Sequence, residues 1–186
     1  LGIIAKNGAG KSTILKIISD IIPPTSGKVT YSGKVVSILD FGTGFHPDLS
    51  GYDNILLNAS LFGMSKKEIH AKINTIIDFS GIAPFIHEPV KTYSSGMYLR
   101  LAFSIAVHIN AQIMLLDEVI AVGDRDFRNK CNLKMRELVA NGMTIVLVSH
   151  NISQILEFCT RCIWIDHGEV KYDGLPIEVA EQYLGG

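Results

Sequence analysis

No stretch of this chain approaches the roughly 18 consecutive apolar residues that a bilayer-spanning helix requires, so any membrane role has to come through a partner. Neither sign of charge dominates. Seventeen Lys and Arg against 18 Asp and Glu leave a formal charge of −1, which lacks the electrostatic footprint of a nucleic-acid binder. Cysteine is scarce: Cys131, Cys159 and Cys162 stand in apolar or helical surroundings, and no second C-x-x-C completes a zinc site. Buried, reduced thiols are expected. Internal repeats, low-complexity tracts and evident linkers are missing as well. What remains, 186 residues of which 47% are apolar, excludes disorder and is enough for one globular domain carrying at most a subdomain. A start methionine is also lacking, and the chain opens inside what reads as a strand, so the domain is expected to be incomplete at its N-terminus.

Against these absences stands one dense motif. Ala5 to Thr13 read A-K-N-G-A-G-K-S-T directly after the apolar run Leu1-Gly2-Ile3-Ile4. A glycine-rich turn between a strand and a helix is a means of holding a polyphosphate, hence ATP or GTP. Gly8 and Gly10 let successive N–H groups face inward, Lys11 reaches the β- and γ-phosphates, and Ser12 offers its hydroxyl to Mg²⁺. Asn7, Ala9 and Thr13 complete the expected cradle, and the helix opening at Lys11 adds its positive end. The strict G-x-x-x-x-G-K-[ST] pattern has glycine where this chain has Ala5, whose methyl is expected at most to weaken phosphate binding.

The remaining pattern predicts a strand over 1–5, a helix over 11–20 stopped by Pro23-Pro24, and short strands near 28–31 and 35–39. Two helices fill 52–79, the second opened by the capping box Ser65 and Glu68. Apolar residues on nearly every side of 99–109 predict a buried helix. Two wholly apolar runs, 113–116 and 144–148, flank a polar helix near 125–140; such runs belong to a parallel sheet covered on both faces. A small hairpin over 163–172 and a helix opening at Pro176 close the chain. The fold class is therefore α/β.

Ligands of open α/β sheets bind outside the carboxyl ends of the strands, and three polar clusters fall at such ends: Ala5 to Ser12, Asp117-Glu118 and His150. Asp117 suits a Mg²⁺ shell, Glu118 suits orientation or deprotonation of an attacking water, and His150 is placed to sense a γ-phosphate. Tyr93-Ser94-Ser95-Gly96-Met97 precedes the buried helix. It reads either as a plain serine N-cap or as an anion site at a positive helix end.

Taken together, these motifs resemble the nucleotide-binding subunit of an ABC transporter over nearly all of the chain. Gly8 to Thr13 resembles the Walker A motif, Ile113 to Glu118 the Walker B motif, and Tyr93 to Met97 the L-S-G-G-Q signature. Ala121-Val122-Gly123-Asp124 stands at the D-loop and His150 at the switch histidine. The runs G-T-G-F-H-P-D-L-S-G at 42–51, Y-S-S-G-M and D-E-V-I-A-V-G-D at 117–124 are similar to the ATPases that export O-antigen, capsular polysaccharide and teichoic acid. Ser95 and Met97 replace the usual Gly and Gln, and Asp40 is the nearest polar stand-in for an absent glutamine after the 35–39 strand.

The resemblance implies a P-loop NTPase (RecA-like) core with a mostly parallel sheet, spanning 1–186 with an inserted helical subdomain at about 51–109. It implies ATP and Mg²⁺ as cofactors, with Ser12 and Asp117 as metal ligands and Glu118 and His150 as catalytic residues. It further implies a head-to-tail homodimer in which Ser94, Ser95 and Gly96 of one copy face the ATP of the other. Transmembrane permease subunits would carry a lipid-linked polysaccharide, with this subunit peripheral on the cytoplasmic face of the membrane. Two rival readings are a soluble ABC ATPase acting on nucleic acid or ribosomes and a non-hydrolysing nucleotide-binding regulator. The first lacks the long coiled coils or tandem domain such proteins carry; Glu118 speaks against the second.

Overall fold

The computed structural model describes residues 1–6, 8–38, 44–117 and 123–185. They divide into two units, one comprising Leu1–Leu39, Ala111–Val119 and Val139–Gly186, the other Asp40–Asn110 and Ile120–Leu138.

The first unit is built on a six-stranded sheet. Strand β1 (Gly2–Ala5) runs into helix α1 (Lys11–Ile18), and β2 (Val35–Ser37) follows. After the second unit's helices α2 (Gly51–Leu61), α3 (Lys66–Ser80) and α4 (Ser95–Ala106) come β3 (Ile113–Asp117) and α5 (Arg125–Ala140). Strand β4 (Thr144–Val148), α6 (Ile152–Phe158), the hairpin β5 (Cys162–Asp166) and β6 (Glu169–Gly174), and α7 (Pro176–Gly185) complete the chain. The spatial order is β2-β3-β4-β1-β5-β6. All neighbours pair in parallel except β5 and β6, so the sheet is mostly parallel with an antiparallel edge. The apolar runs predicted as central strands are β3 and β4, with Met114, Leu115, Leu116, Leu147 and Val148 fully buried. Helix α1 presents Leu15 to the same core, where it meets Ile3, Ala5, Leu115, Val146 and Val148. Each such side chain withdrawn from water is worth roughly 1.5–3 kcal/mol.

One expected strand does not form. Lys28-Val29-Thr30-Tyr31 has the alternation of a strand, yet these residues are irregular and exposed, Val29 by 38% and Tyr31 by 40%. The reason is that a strand is stabilised by its neighbour, and among the described residues nothing pairs with this segment. The Tyr31 hydroxyl instead donates to the Asp20 carboxylate.

In the second unit, α3 opens with the predicted capping box: Glu68 N–H donates to Ser65 Oγ at 3.3 Å, and Ser65 N–H donates back to Glu68 Oε2 at 2.8 Å. The buried helix predicted over 99–109 is α4, which starts earlier because Ser94 caps it and whose burial continues past its last turn through Ile109. Phe79, Phe103 and Phe127 meet edge to face at centroid separations of 5.9 and 6.3 Å, joining α3, α4 and α5. The three cysteines are buried and reduced. Burial pushes the Cys131 thiol up to about 12 and the Cys162 thiol up to about 11, so neither forms a reactive thiolate at neutral pH.

His108 sits in this core beside Phe79 at a ring separation of 5.2 Å, and its Nδ1 donates to the Ser104 carbonyl at 2.7 Å. Burial lowers its pKa, and the ammonium groups of Lys134 and Lys72 lower it further, against the opposing pull of the Ser104 bond and Glu137. The folded protein therefore holds His108 neutral where the unfolded chain takes up a proton. Stability is at its full value above the unfolded histidine's pKa, near 6.5, and declines as pH falls from there through the lower folded value. His108→Gln retains a donor and removes the titration. Denaturant midpoints measured between pH 7.5 and pH 5 should fall more steeply for the wild type than for the variant; parallel pH profiles would contradict this role.

Candidate functional site at the carboxyl ends of the sheet

The register of the sheet decides which loops become neighbours. Val148 of β4 lies opposite Ile3 of β1 on one side and Asp117 of β3 on the other. The loop after β1, the last residue of β3 and Ser149-His150 after β4 therefore emerge side by side.

At the first of these, Gly8 (φ 82°) and Gly10 (φ 95°) take left-handed backbone conformations that other residues adopt only with strain. A Cβ built at either meets no atom within 4 Å. The demand for glycine thus comes from the backbone, and the space over the loop is open to a ligand. Helix α1 has no side-chain cap and no acidic residue in its first turn, leaving its amide donors and positive end facing that space. Lys11 Nζ donates to the Ala5 carbonyl at 3.0 Å, which folds it over the loop. An uncapped helix start with an adjoining ammonium suits a polyphosphate. Ser12 Oγ donates to Asp117 Oδ2 at 3.4 Å, which brings together the hydroxyl and carboxylate predicted for Mg²⁺. Among the described residues no group of three or more His, Cys, Asp or Glu side chains is placed to hold a metal ion. The Ser12 and Asp117 pair fits a hard cation that takes its other oxygens from phosphates and water.

His150 is exposed, while the flanking Ser149 is buried. Ser149 Oγ donates to Gln154 Oε1 and accepts from Asn151 N–H, each at 3.0 Å. The turn carrying His150 is thus pinned from within. Asn7, Asp40, Glu118, Ala121 and Val122 lie outside the described residues.

Ala5 is the last residue of β1, fully buried, and it is not among the residues with positive φ. Alanine therefore imposes no backbone strain at this position, and its methyl fills core.

In the second unit, Ser94 caps α4: its Oγ accepts from Met97 N–H at 3.2 Å. Ser94 and Ser95 are exposed and Gly96 is half-buried. A cavity of about 390 Å³ lies at this helix end, lined by Ser94, Gly96, Met97 and Arg100 together with Phe85 and Asp124. Arg100 forms an ion pair with Asp124 and lies 5.0 Å from the Phe127 ring centre. Asp124 Oδ1 accepts from Phe127 N–H at 2.9 Å, and this bond, joined by the charge and hydrogen bond of Arg100, holds its carboxyl below the usual range. Two residues escaped the sequence reading: Asn54 and Asn58, one helical turn apart on α2 and both buried. Amides at i and i+4 on the buried side of an otherwise apolar helix were the available signal.

The sheet order, with the central strand β1 running through a glycine turn into α1, defines a P-loop NTPase fold. A family model described as ABC transporter matches residues 1–121. The chain is 48% identical over 183 residues to the O-antigen export system ATP-binding protein RfbB of Myxococcus xanthus, covering 98% of this chain and 42% of that protein. It is 43% identical to the protein of the same name from Klebsiella pneumoniae, with 98% and 74% covered. It is 49% identical to the teichoic acids export ATP-binding protein TagH of Lactococcus lactis subsp. lactis, with 98% and 39% covered. Among solved structures it resembles an ATP binding subunit of an ABC transporter at TM-score 0.87 and 21% identity, covering 98% of this chain and 80% of that one. A dimeric ATP-binding cassette in a post-hydrolysis state, bound to ADP and Pi, matches at TM-score 0.79 and 23% identity, covering 94% and 84%. The chain belongs to the ABC transporter family. It spans less than half the length of the Myxococcus and Lactococcus relatives.

Ala5→Gly should destabilise the fold by about 1–2 kcal/mol, since it removes a buried methyl and loosens a strand. It should leave ATP affinity within about twofold, because one lost methylene-sized contact away from the ligand alters binding little. Chemical denaturation and calorimetry test the two halves separately. A marked gain in ATP affinity would mean that the methyl does intrude on the phosphate loop.

Proposed function

We propose that the chain is the ATP-binding and ATP-hydrolysing part of an ABC exporter that drives a lipid-linked cell-surface polysaccharide across the cytoplasmic membrane. The observation that carries this reading is the sheet edge where the open phosphate loop, the Ser12 and Asp117 pair and His150 emerge together. The O-antigen and teichoic acid export relatives support the class of cargo. In this reading the loop from Asn7 through Gly8, Ala9, Gly10 and Ser12 to Thr13 receives the phosphates, and Lys11 neutralises β- and γ-oxygens. Ser12 and Asp117 would hold Mg²⁺, which when bound would offset phosphate charge. Glu118, directly after Asp117, takes the proton of the attacking water as the bond to the γ-phosphorus forms and ADP leaves. His150 contacts the γ-phosphate. Ser94, Ser95 and Gly96 of a second copy close over the triphosphate, so ATP favours a head-to-tail homodimer and hydrolysis releases it.

Among the described residues no helix is long and apolar enough to cross a membrane. Permease subunits supply the path, and this chain acts from the cytoplasmic face. No nucleic-acid partner is called for by a chain with 17 Lys and Arg against 18 Asp and Glu.

Lys11→Ala should abolish ATP binding by calorimetry, since it removes the ammonium that folds over the loop. Glu118→Gln should retain ATP and slow hydrolysis by roughly 10² to 10⁴, accumulating an ATP-bound dimer on gel filtration; a variant that hydrolyses normally removes Glu118 from the mechanism. Gly96→Asp should spare ATP binding by the monomer while abolishing dimerisation and turnover. Loss of monomer affinity in that variant would place the signature on its own subunit's nucleotide.

A further inference from the structure

The run 44–52 is not absorbed by the roles assigned above, yet it is one of the most tightly bonded segments of the second unit. Asn54 holds it from α2: Oδ1 accepts from His46 N–H at 2.8 Å, and Nδ2 donates to the carbonyls of His46, Leu49 and Ser50 at 3.1, 3.2 and 3.0 Å. Asn58 Nδ2 donates to the Gly44 carbonyl at 3.1 Å. The same run is laced to 86–91, the approach to the signature. Tyr52 N–H donates to the Ile86 carbonyl at 2.8 Å and Gly51 N–H to Glu88 at 3.2 Å; Val90 and Lys91 N–H donate to Leu49 and Pro47, each at 2.9 Å. The Lys91 and Asp48 ion pair, at 2.8 Å, is exposed and adds little.

This strap ends on Tyr93, the residue before the Ser94 cap. Tyr93 Oη donates to the Phe85 carbonyl at 2.7 Å, and burial raises its pKa, so the proton stays in place at neutral pH. Its hydroxyl also closes over Gly51. A Cβ at Gly51 would overlap Tyr93 Oη outright and would stand 3.0 Å from Ile86 Cδ1 and 3.1 Å from the Ile86 carbonyl. Glycine at 51 is therefore required by close approach.

We infer that Tyr93 is a positioning residue whose seat against Gly51 ties the 44–52 strap to Ser94, so that the strap sets the alignment of the signature end of α4. The inference rests on the reading that Ser94 to Gly96 serve the nucleotide of a second copy. Tyr93 touches no nucleotide; it acts through the backbone of the cap that follows it. A small displacement of that cap costs turnover and leaves nucleotide capture by the phosphate loop intact.

The test is a suppressor cycle in the complete subunit. Gly51→Ala should lower kcat for ATP by roughly 10- to 100-fold, with KM and monomer ATP affinity changed by less than about twofold, the size of an indirect effect. Tyr93→Phe removes the overlapping oxygen and, introduced into Gly51→Ala, should restore most of the lost kcat; by itself it should lower kcat by about two- to tenfold, the worth of one hydrogen bond. A Gly51→Ala kcat equal to wild type, a loss that Tyr93→Phe does not relieve, or a collapse of ATP affinity would each overturn the inference. If Gly51→Ala fails to fold, the Tyr93→Phe arm decides: a fall in kcat at constant KM supports the strap, and an unchanged kcat overturns it. The two readings separate through Glu118→Gln. Absence of its ATP-bound dimer defeats the trans role of the signature, whereas a normal dimer together with a Gly51→Ala kcat equal to wild type defeats the strap alone.

Discussion

The pairing register across β4 is the constraint on which the candidate site depends. With Val148 opposite both Ile3 and Asp117, the ends of β3 and β4 are level and β1 runs two residues further, to Ala5. Only then does Ser12, on the first turn of α1, reach the carboxylate at the end of β3. A slip of one residue would send every side chain of β3 to the opposite face and carry Asp117 away from Ser12. Burial on both faces makes that slip costly, because Met114, Leu115 and Leu116 are all withdrawn from water. The apolar core thus fixes the position of a polar pair that contributes little to stability itself.

Within the phosphate loop, the positions that read alike in a motif obey different physics. Gly8 and Gly10 have positive φ and open space above them, so their requirement lies in the backbone. Ala5 ends a strand with its methyl in the core. Its replacement of the expected glycine is a packing substitution that leaves the loop's turns untouched. The departure that looked most unusual in the sequence is one the fold accommodates without strain.

The second unit organises its polar groups differently. Its helices are joined by Phe79, Phe103 and Phe127, while its loops are held by amides. Asn54 spends both groups of its side-chain amide on 46–50, which gives an irregular segment the partner groups that a helix or sheet would otherwise provide. Rigidity in such a loop comes from satisfied backbone groups, and it allows a residue as far along the chain as Tyr93 to be seated by Gly51.

Local pattern was sufficient for much of this protein. The glycine turn, the capping box at Ser65 and Glu68, the wholly apolar strands β3 and β4 and the buried α4 all depend on a few neighbouring residues, so their signals survive in the sequence alone. The same holds for the family, whose motifs recur in order along the chain. The failure at 28–31 has the complementary cause: strand-like alternation records a preference, and pairing needs a neighbour that the segment itself does not specify. Likewise, no local feature announces that Ala5 would be core or that Asn54 and Asn58 would clamp a loop, and the meeting of Ser12 and Asp117, 105 residues apart, was expected only through the Mg²⁺ that their two motifs share. Those outcomes follow from strand order, register and the closing of 44–52 onto 86–93. They are decided by long-range contacts, and only the tertiary structure contains them.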